Sequence, residues 1–170
     1  MVGIVVEVAD GLAASLVVRV REAAPDCEPE KDATDGAIAV DEAIRRGATE
    51  IILLGGLGGQ TDHTSGLLGQ SIQIARRGIA CLLTSGVEEA WPLIAGQLHL
   101  ELPAETRLSI IPFTDLQGLD LAGVKWPLTN RDVPVGSTLT LSNVAQGPVE
   151  ISLKRGHGIA IAYPPQTANV

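Results

Sequence analysis

Short apolar runs separated by polar segments mark the first half of the chain. Val2–Val8 is β-branched and apolar apart from Gly3 and Glu7, and it predicts a strand. Ile51–Leu54 and Ile79–Thr84 are continuous apolar runs of the length typical of buried strands. The pattern therefore predicts at least three strands before residue 86.

Apolar residues at helical spacing occupy the segments between these strands. Leu12–Ala24 has such a stripe, although it is rich in valine, and Gly36–Arg46 and Asp62–Arg77 have clearer ones. Gly47 and Gly78 follow the last two segments as stop signals. Strands that alternate with helices predict an α/β half with a mostly parallel sheet covered by helices.

The pattern changes near Ser85-Gly86, beyond which no convincing helix is predicted. Short alternating segments are separated by turn signals such as Ala95-Gly96, Pro134–Gly136 and Gly147-Pro148. The predicted strands are Glu89–Ile94, Leu98–Leu102, Leu108–Phe113, Thr138–Val144, Val149–Lys154 and Gly158–Tyr163. This rhythm predicts an all-β antiparallel sandwich or barrel. We therefore expect two domains, 1–86 and 87–170.

Composition narrows the classes of protein. Hydrophobic residues make up 45% of the 170 residues, enough for a sizeable core. The net charge of −8 argues against nucleic acid as a partner. Because no apolar stretch has the length of a membrane span or the flanks of a signal peptide, we expect a cytoplasmic protein that does not bind membranes. Cys27 and Cys81 form neither a disulfide framework nor a zinc motif and are expected to be structural.

A glycine-rich loop follows the strand Ile51–Leu54 and precedes a predicted helix. Gly55-Gly56 and Gly58-Gly59 are followed by Asp62 and His63. Strand, glycine loop and helix start aim backbone N–H groups at an anion. A carboxylate beside a phosphate is repulsive unless a cation or a substrate hydroxyl also binds there. The loop therefore indicates nucleotide chemistry, although it matches neither the Walker A nor the G-x-G-x-x-G pattern.

A second acidic pair precedes the helix predicted at Gly36. Asp32 and Asp35 lie in a loop that, like the one holding Asp62, is expected at the carboxyl edge of the sheet. Converging carboxylates are compatible with a bound Mg²⁺ that bridges them to phosphates. The alternative is that each acid acts only as a helix cap, which the spacing alone slightly favours because caps are common.

Five short motifs occur in an order that resembles the thiamine pyrophosphokinase family. They are Asp32–Asp35, Gly55–His63, Ser109–Pro112, Gly123–Leu128 and Ser142-Asn143. The resemblance runs from about residue 29 to residue 162. It implies an enzyme that transfers a pyrophosphoryl group from ATP to the hydroxyl of thiamine, with Mg²⁺, as a homodimer.

The resemblance also implies roles for individual residues. Asp35 would be a metal ligand, and Asp32, Thr34 and Asp62 would line the phosphate site. Backbone groups at Gly58 and Gly59 would contact the phosphates. Trp126, Ser142 and Asn143 would belong to the thiamine-binding half, where the indole face suits a flat cationic substrate.

Three positions depart from the family pattern. Gln60 stands where the family usually has arginine, and Lys31 stands where glutamine is more usual, so Lys31 is a candidate for the missing positive charge. The acidic family motif upstream corresponds to Glu7–Gly11, of which Asp10 alone is retained as a metal ligand. The sequence therefore resembles an N-terminally shortened or degenerate member of the family. A non-catalytic thiamine- or nucleotide-binding protein on the same scaffold is the alternative.

The predicted layout also bears on assembly. A β half with many strand edges, joined to a thin α/β half, should leave apolar surface uncovered. Dimerisation is the simplest way to bury it, so we expect a homodimer.

Overall fold

The computed structural model describes residues 5–10, 14–19 and 35–165. The chain divides into two compact units, Met1–Gly86 and Val87–Val170. The first unit contains β1 (Val5–Asp10), β2 (Ala14–Arg19), α1 (Asp35–Arg45), β3 (Glu50–Leu54), α2 (Thr61–Arg76) and β4 (Ala80–Thr84). The second contains β5 (Glu89–Leu93), β6 (Gly96–Leu100), β7 (Arg107–Pro112), β8 (Leu116–Val124), β9 (Leu128–Val133), β10 (Asn143–Leu153) and β11 (Gly158–Tyr163).

The described strands of the first unit form a mixed sheet in the order β2-β1-β3-β4. β3 and β4 pair in parallel, with Ile51 opposite Cys81 and Leu53 opposite Leu83. β1 pairs antiparallel with both β2 and β3. The expected mostly parallel sheet is therefore not what these strands show, because a hairpin replaces the predicted crossover at its edge.

The helix predicted at Leu12–Ala24 is wrong, since Ala14–Arg19 form the strand β2. β2 is the second strand of the hairpin, with Val18 opposite Val6 and Leu16 opposite Val8. Valine is stiff at χ1 and fits a strand better than a helix, so pairing with β1 outweighs the weak helical spacing.

The other two helices and the strands β3 and β4 confirm the sequence pattern. α1 buries Ala39, Val40 and Ala43, and α2 buries Leu68 and Ile72. Gly47 follows α1 at φ 90° and Gly78 follows α2 at φ 78°. Both glycines have the left-handed conformation that commonly ends helices. The apolar stripes read from the sequence are therefore the faces that cover the sheet.

The cysteine in β4 is structural. Cys81 is buried, and its burial raises the pKa of the thiol to about 12. An uncharged buried thiol is inert as a nucleophile or metal ligand. Cys27 lies outside the described residues.

Within the second unit, every described pairing between strands is antiparallel. The order is β5-β11-β7-β10-β8-β9, and β6 also pairs with β10. The amino end of β10 pairs with β7, whereas its remainder pairs with β6 and β8. Side chains from both groups of strands meet in one buried cluster that includes Leu108, Leu119 and Ile151. An all-β antiparallel half was expected, and the described part of this unit shows it.

Two strands of this unit were not predicted, and one predicted turn does not exist. β8 and β9 span Leu116–Val133, where the sequence analysis placed no strand. The predicted strand Thr138–Val144 is wrong for residues 138–142, which form no strand. Its last two residues and Val149–Leu153 of the predicted strand Val149–Lys154 belong to the single strand β10. Gly147-Pro148 lies inside β10, where the pairing with β8 shifts register between Ala145 and Glu150. Proline has no N–H to donate to the neighbouring strand. It is therefore tolerated where the register shifts and the regular hydrogen bonds between the strands are interrupted.

Neither described helix combines the length and the apolar character that crossing a membrane requires.

Candidate functional site

The loop between β3 and α2 is held in place by its buried residues and leaves its glycines open. Leu57 is buried, and a Cβ on Gly56 would touch the side chains of Leu67 and Leu83 at 3.4 and 3.5 Å. Gly58 has φ 78°, which favours glycine. Gly58 and Gly59 are exposed, and a Cβ on either would meet nothing within 4 Å. The loop is therefore an anchored turn with free space above its outer glycines.

The start of α2 directly follows these glycines. Gln60 is the N-cap residue, and its side chain makes no capping hydrogen bond. The Gln60 carbonyl accepts the N–H of Thr64 at 2.9 Å. The N–H groups of a helix start and its dipole favour negative charge. A helix start whose N-cap side chain makes no hydrogen bond, beside open glycines, is a suitable place for a phosphate.

Asp62 lies in the first turn of α2 and is exposed. Its Oδ1 accepts the backbone N–H of His63 at 2.9 Å. This bond satisfies one N–H of the helix start, but Asp62 lies inside α2 and is not its N-cap residue. The bond occupies one acceptor position and leaves the others accessible to a cation or a hydroxyl.

α1 supplies the second predicted acid. Asp35 is the first residue of α1, and Asp10 is the last residue of β1. Arg77 Nη1, just after α2, lies 3.0 Å from Asp41 Oδ1 in α1, so the two helices are neighbours. Lys31, Asp32 and Thr34 lie outside the described residues. Among the described residues, no three metal-binding side chains converge on one point.

In the second unit, the structure brings together two of the three predicted thiamine-site residues. Trp126 lies in the short connection between β8 and β9, and the residue is 54% exposed. Asn143, the first residue of β10, is buried. Trp126 N–H donates to Asn143 Oδ1 at 3.1 Å, and Asn143 Nδ2 donates to the Trp126 carbonyl at 2.8 Å. These residues are 17 positions apart in the chain and bind each other directly.

Ser142 precedes this pair and adopts φ 57°. Its N–H donates to Ser109 Oγ at 2.9 Å, which links two of the motifs from the sequence analysis. Ser142 is exposed. Ser142 directly precedes Asn143, whose side chain binds the main chain of Trp126.

Sequence reasoning missed one residue of this group. The ammonium of Lys125 lies 4.8 Å from the centre of the Trp126 ring, within the range of a cation–π interaction. The signal was present, since Lys125 is adjacent to Trp126 within the motif Gly123–Leu128. The contact shows that the exposed indole face accepts a positive charge.

Comparisons with known proteins match both units. The family model described as thiamin pyrophosphokinase, catalytic domain, matches residues 18–83. The model described as thiamin pyrophosphokinase, vitamin B1 binding domain, matches residues 97–157. The glycine loop and Asp62 both lie within the first match. The second match includes Trp126, Ser142 and Asn143.

A relative and two solved structures are similar over much of the chain. Thiamine pyrophosphokinase of Bacillus subtilis strain 168 is 32% identical over 130 residues, which cover 74% of this chain and 61% of that protein. The crystal structure of the Bacillus subtilis enzyme superposes with a TM-score of 0.74 at 29% identity, over 80% of this chain and 65% of that one. The thiamin pyrophosphokinase structure from Geobacillus thermodenitrificans gives 0.70 at 28% identity, over 84% and 66%. This chain therefore spans less than two thirds of the length of these relatives.

Proposed function

The chain belongs to the thiamin pyrophosphokinase family, and we propose that it transfers a pyrophosphoryl group from ATP to the hydroxyl of thiamine. In this reaction the thiamine hydroxyl oxygen attacks the β-phosphorus of ATP. The bond from that phosphorus to the oxygen of the α-phosphate breaks, the hydroxyl loses its proton, and AMP leaves. Thiamine diphosphate is the other product.

The observation that carries this proposal is the anchored glycine loop with Asp62 at its end. Displacement at phosphorus requires alignment and charge stabilisation more than covalent help from the protein. Open glycines at residues 58 and 59 allow a phosphate to approach the backbone closely, and the start of α2, where the Gln60 side chain makes no capping bond, favours its charge. Gln60 is exposed next to them and provides a neutral side-chain donor.

The connectivity of the first unit supports a shared role for Asp62 and Asp35. α2 begins just after the carboxyl end of β3, and α1 ends shortly before its amino end. α1 buries one face and neighbours α2, so it runs back alongside the sheet for about 16 Å, the length of its 11 residues. This course directs Asp35 toward the edge of the sheet that also carries Asp62. Asp32 and Thr34 directly precede α1 in the sequence and belong to the same proposed group.

The donor set suits a hard divalent cation. Carboxylate oxygens are the ligands that Mg²⁺ takes in phosphate sites, usually one or two of them together with substrate oxygens. We assign Asp35 as a ligand, with Asp62 close to the phosphates. Asp10 ends β1, which runs antiparallel to β3 with Val8 opposite Ile51, so it lies toward the amino end of β3 and is left out of this proposed group. When bound, Mg²⁺ neutralises charge on the transferred phosphates. Lys31 is proposed to supply a further positive charge.

The second unit is proposed to bind thiamine. The exposed indole of Trp126 offers a flat face for a cationic ring, and Lys125 shows that this face accepts a cation. Ser142 is exposed beside it and is proposed to hydrogen bond to the ligand. ATP and free thiamine are small cytoplasmic metabolites, so we propose a cytoplasmic location.

We also propose a homodimer formed through the second unit. Val135, Leu139 and Leu141 are between 42% and 56% exposed. The segment 134–142 that carries them is fixed on β7, where Thr140 Oγ1 donates to the Ile110 carbonyl at 2.6 Å and Ile110 N–H donates to the Thr140 carbonyl at 2.9 Å. Apolar side chains held outward by a rigid segment are typical of an interface between chains.

The test of the reaction is ³¹P NMR of the protein mixed with ATP, Mg²⁺ and thiamine. Pyrophosphoryl transfer predicts the signals of AMP and of a diphosphate ester, in equal amounts and only when thiamine is present. ADP with a monophosphate ester would show transfer of a single phosphoryl group instead. Binding of thiamine without either product would show a non-catalytic binding protein.

A further inference from the structure

We infer that Asn143 is a positioning residue, which acts on the thiamine ligand through the main chain of Trp126 and does not contact the ligand. The inference rests on the proposed binding of thiamine by the second unit. It changes the role of Asn143 from a binding side chain to the support that holds the indole.

The hydrogen bonds of Asn143 are directed into the protein. Its Oδ1 accepts both the N–H of Trp126 at 3.1 Å and its own neighbour's N–H, from Val144, at 2.9 Å. Its Nδ2 donates to the Trp126 carbonyl at 2.8 Å. An amide side chain has two acceptor positions and two donor hydrogens, so three of its four positions are used. Asn143 is only 6% exposed, which leaves little surface for a ligand.

The main chain around Trp126 is restrained from both sides. Lys125 N–H donates to the Val144 carbonyl at 2.8 Å, so two successive residues of the connection are tied to the start of β10. Pro127 follows, and a residue before proline is restricted to extended conformations. The indole itself is exposed, and its orientation therefore depends on this backbone.

The orientation matters because an aromatic face attracts a cation only when the cation lies over it. Lys125 lies over the Trp126 ring in the ligand-free protein, so the face is already presented to positive charge. Lys125 is exposed, and its contact with the ring is of the weak kind that a ligand can displace. Loss of the Asn143 bonds would free the backbone of residue 126 and give the ring several orientations. Thiamine binding would then be weakened by the conformational entropy lost when the ring is fixed in one orientation.

The first experiment measures the indole without any ligand. Trp91→Phe leaves Trp126 as the single tryptophan, because the chain has two. In that background, time-resolved fluorescence anisotropy should show a larger fast component for Asn143→Ala than for the parent, measured well below the unfolding temperature. Asn143→Asp keeps the Oδ1 acceptor and loses the donor to the Trp126 carbonyl, so it should lie between them and serves if Asn143→Ala does not fold. Gln146→Ala, an exposed position of β10, is the matched control and should resemble the parent.

The second experiment is a double-mutant cycle for thiamine binding, measured by calorimetry. Asn143→Ala and Trp126→Ala should each weaken thiamine binding about two- to fivefold, the range of an exposed cation–π contact. The double variant should be no weaker than Trp126→Ala alone, because Asn143 acts only through that ring. Additive losses would mean that Asn143 touches the ligand, and unchanged anisotropy would mean that it does not hold the ring; either result overturns the inference. If the parent does not bind thiamine, the proposed function fails, and the anisotropy still decides the role of Asn143.

Discussion

The backbone of Gly123 in β8 lies directly against the carbonyl group of Pro148 in β10. A Cβ on Gly123 would lie 3.1 Å from the Pro148 carbonyl carbon and closer still to its oxygen. Gly123 also has φ 75°, a conformation that side chains rarely adopt. This close approach occurs where the register between the two strands shifts, two residues before Lys125 and three before Trp126.

Gly123→Ala should therefore destabilise the protein by about 3 kcal/mol or more, because backbone atoms cannot move away as a flexible side chain would. Denaturant unfolding followed by circular dichroism measures the effect. Gly69→Ala is the matched control, since a Cβ there meets nothing within 4 Å and the residue lies inside α2. It should stabilise by about 0.5–1 kcal/mol. Equal effects of the two changes would contradict this account of the strand contact.

His99 makes the stability of the second unit depend on pH. Its Nε2 lies 2.7 Å from Glu101 Oε1, and its Nδ1 contacts Glu150 across the β6–β10 pair. Ionised carboxylates only accept hydrogen bonds, so both ring nitrogens must donate, and the pKa of His99 is raised by Glu101 first and Glu150 second. Because the pKa of His99 is higher in the folded state, its protonation stabilises the fold. This stabilisation is fully present below the ordinary histidine pKa of about 6.5 and is lost as pH rises through the pKa of the folded state.

We expect the midpoint of thermal unfolding to fall as pH rises from about 6 to 8, and His99→Gln to reduce that fall. Gln97→Ala, an exposed position of β6 that does not titrate, is the control and should keep the slope of the parent. Because His99 is exposed, the effect should be small and should shrink further in high salt. If the midpoint falls with pH as steeply in His99→Gln as in the parent, groups other than His99 cause the pH dependence.

The proposed dimer predicts a change of mass on placing charge in the segment 134–142. Leu139→Glu and Leu141→Glu together should shift the light-scattering mass at micromolar concentration from two chains to one, because buried like charges at an interface repel. Ile38→Glu alters an equally exposed side chain in α1 and should leave the dimer intact. A single-chain mass for the parent would refute the homodimer.

Much of the fold was readable from local pattern, and the failures have physical causes. α1, α2, β3 and β4 matched their apolar spacing and glycine stops because their burial follows the period of the element. β2 was misassigned because its identity is set by pairing with β1, which no local pattern records. β8 escaped prediction because Gly118 and Gly123 interrupt its alternation, although both fit close backbone or side-chain neighbours in the sheet.

The candidate site was predictable to a different degree in each unit. The glycine loop and Asp62 are adjacent in sequence, so strand and helix patterns alone indicated an anion site there. Trp126 and Asn143 were grouped by family resemblance, since residues 17 positions apart carry no local sign of contact. The sequence also could not show that Asn143 is buried. That burial is the observation that favours a supporting role for Asn143 over direct contact with the ligand.

The role of Asp62 in pyrophosphoryl transfer is decided by the rate of thiamine-dependent AMP release from ATP and Mg²⁺, measured for the parent, Asp62→Asn and Asp41→Asn. We expect AMP release by the parent and a loss of about 100-fold or more in Asp62→Asn, the scale of removing one electrostatic contact from a transition state. Asp41→Asn removes an exposed acid of α1 paired with Arg77 and should retain the parent rate. Absence of thiamine-dependent AMP from the parent, or equal rates in the parent and Asp62→Asn, would contradict this role.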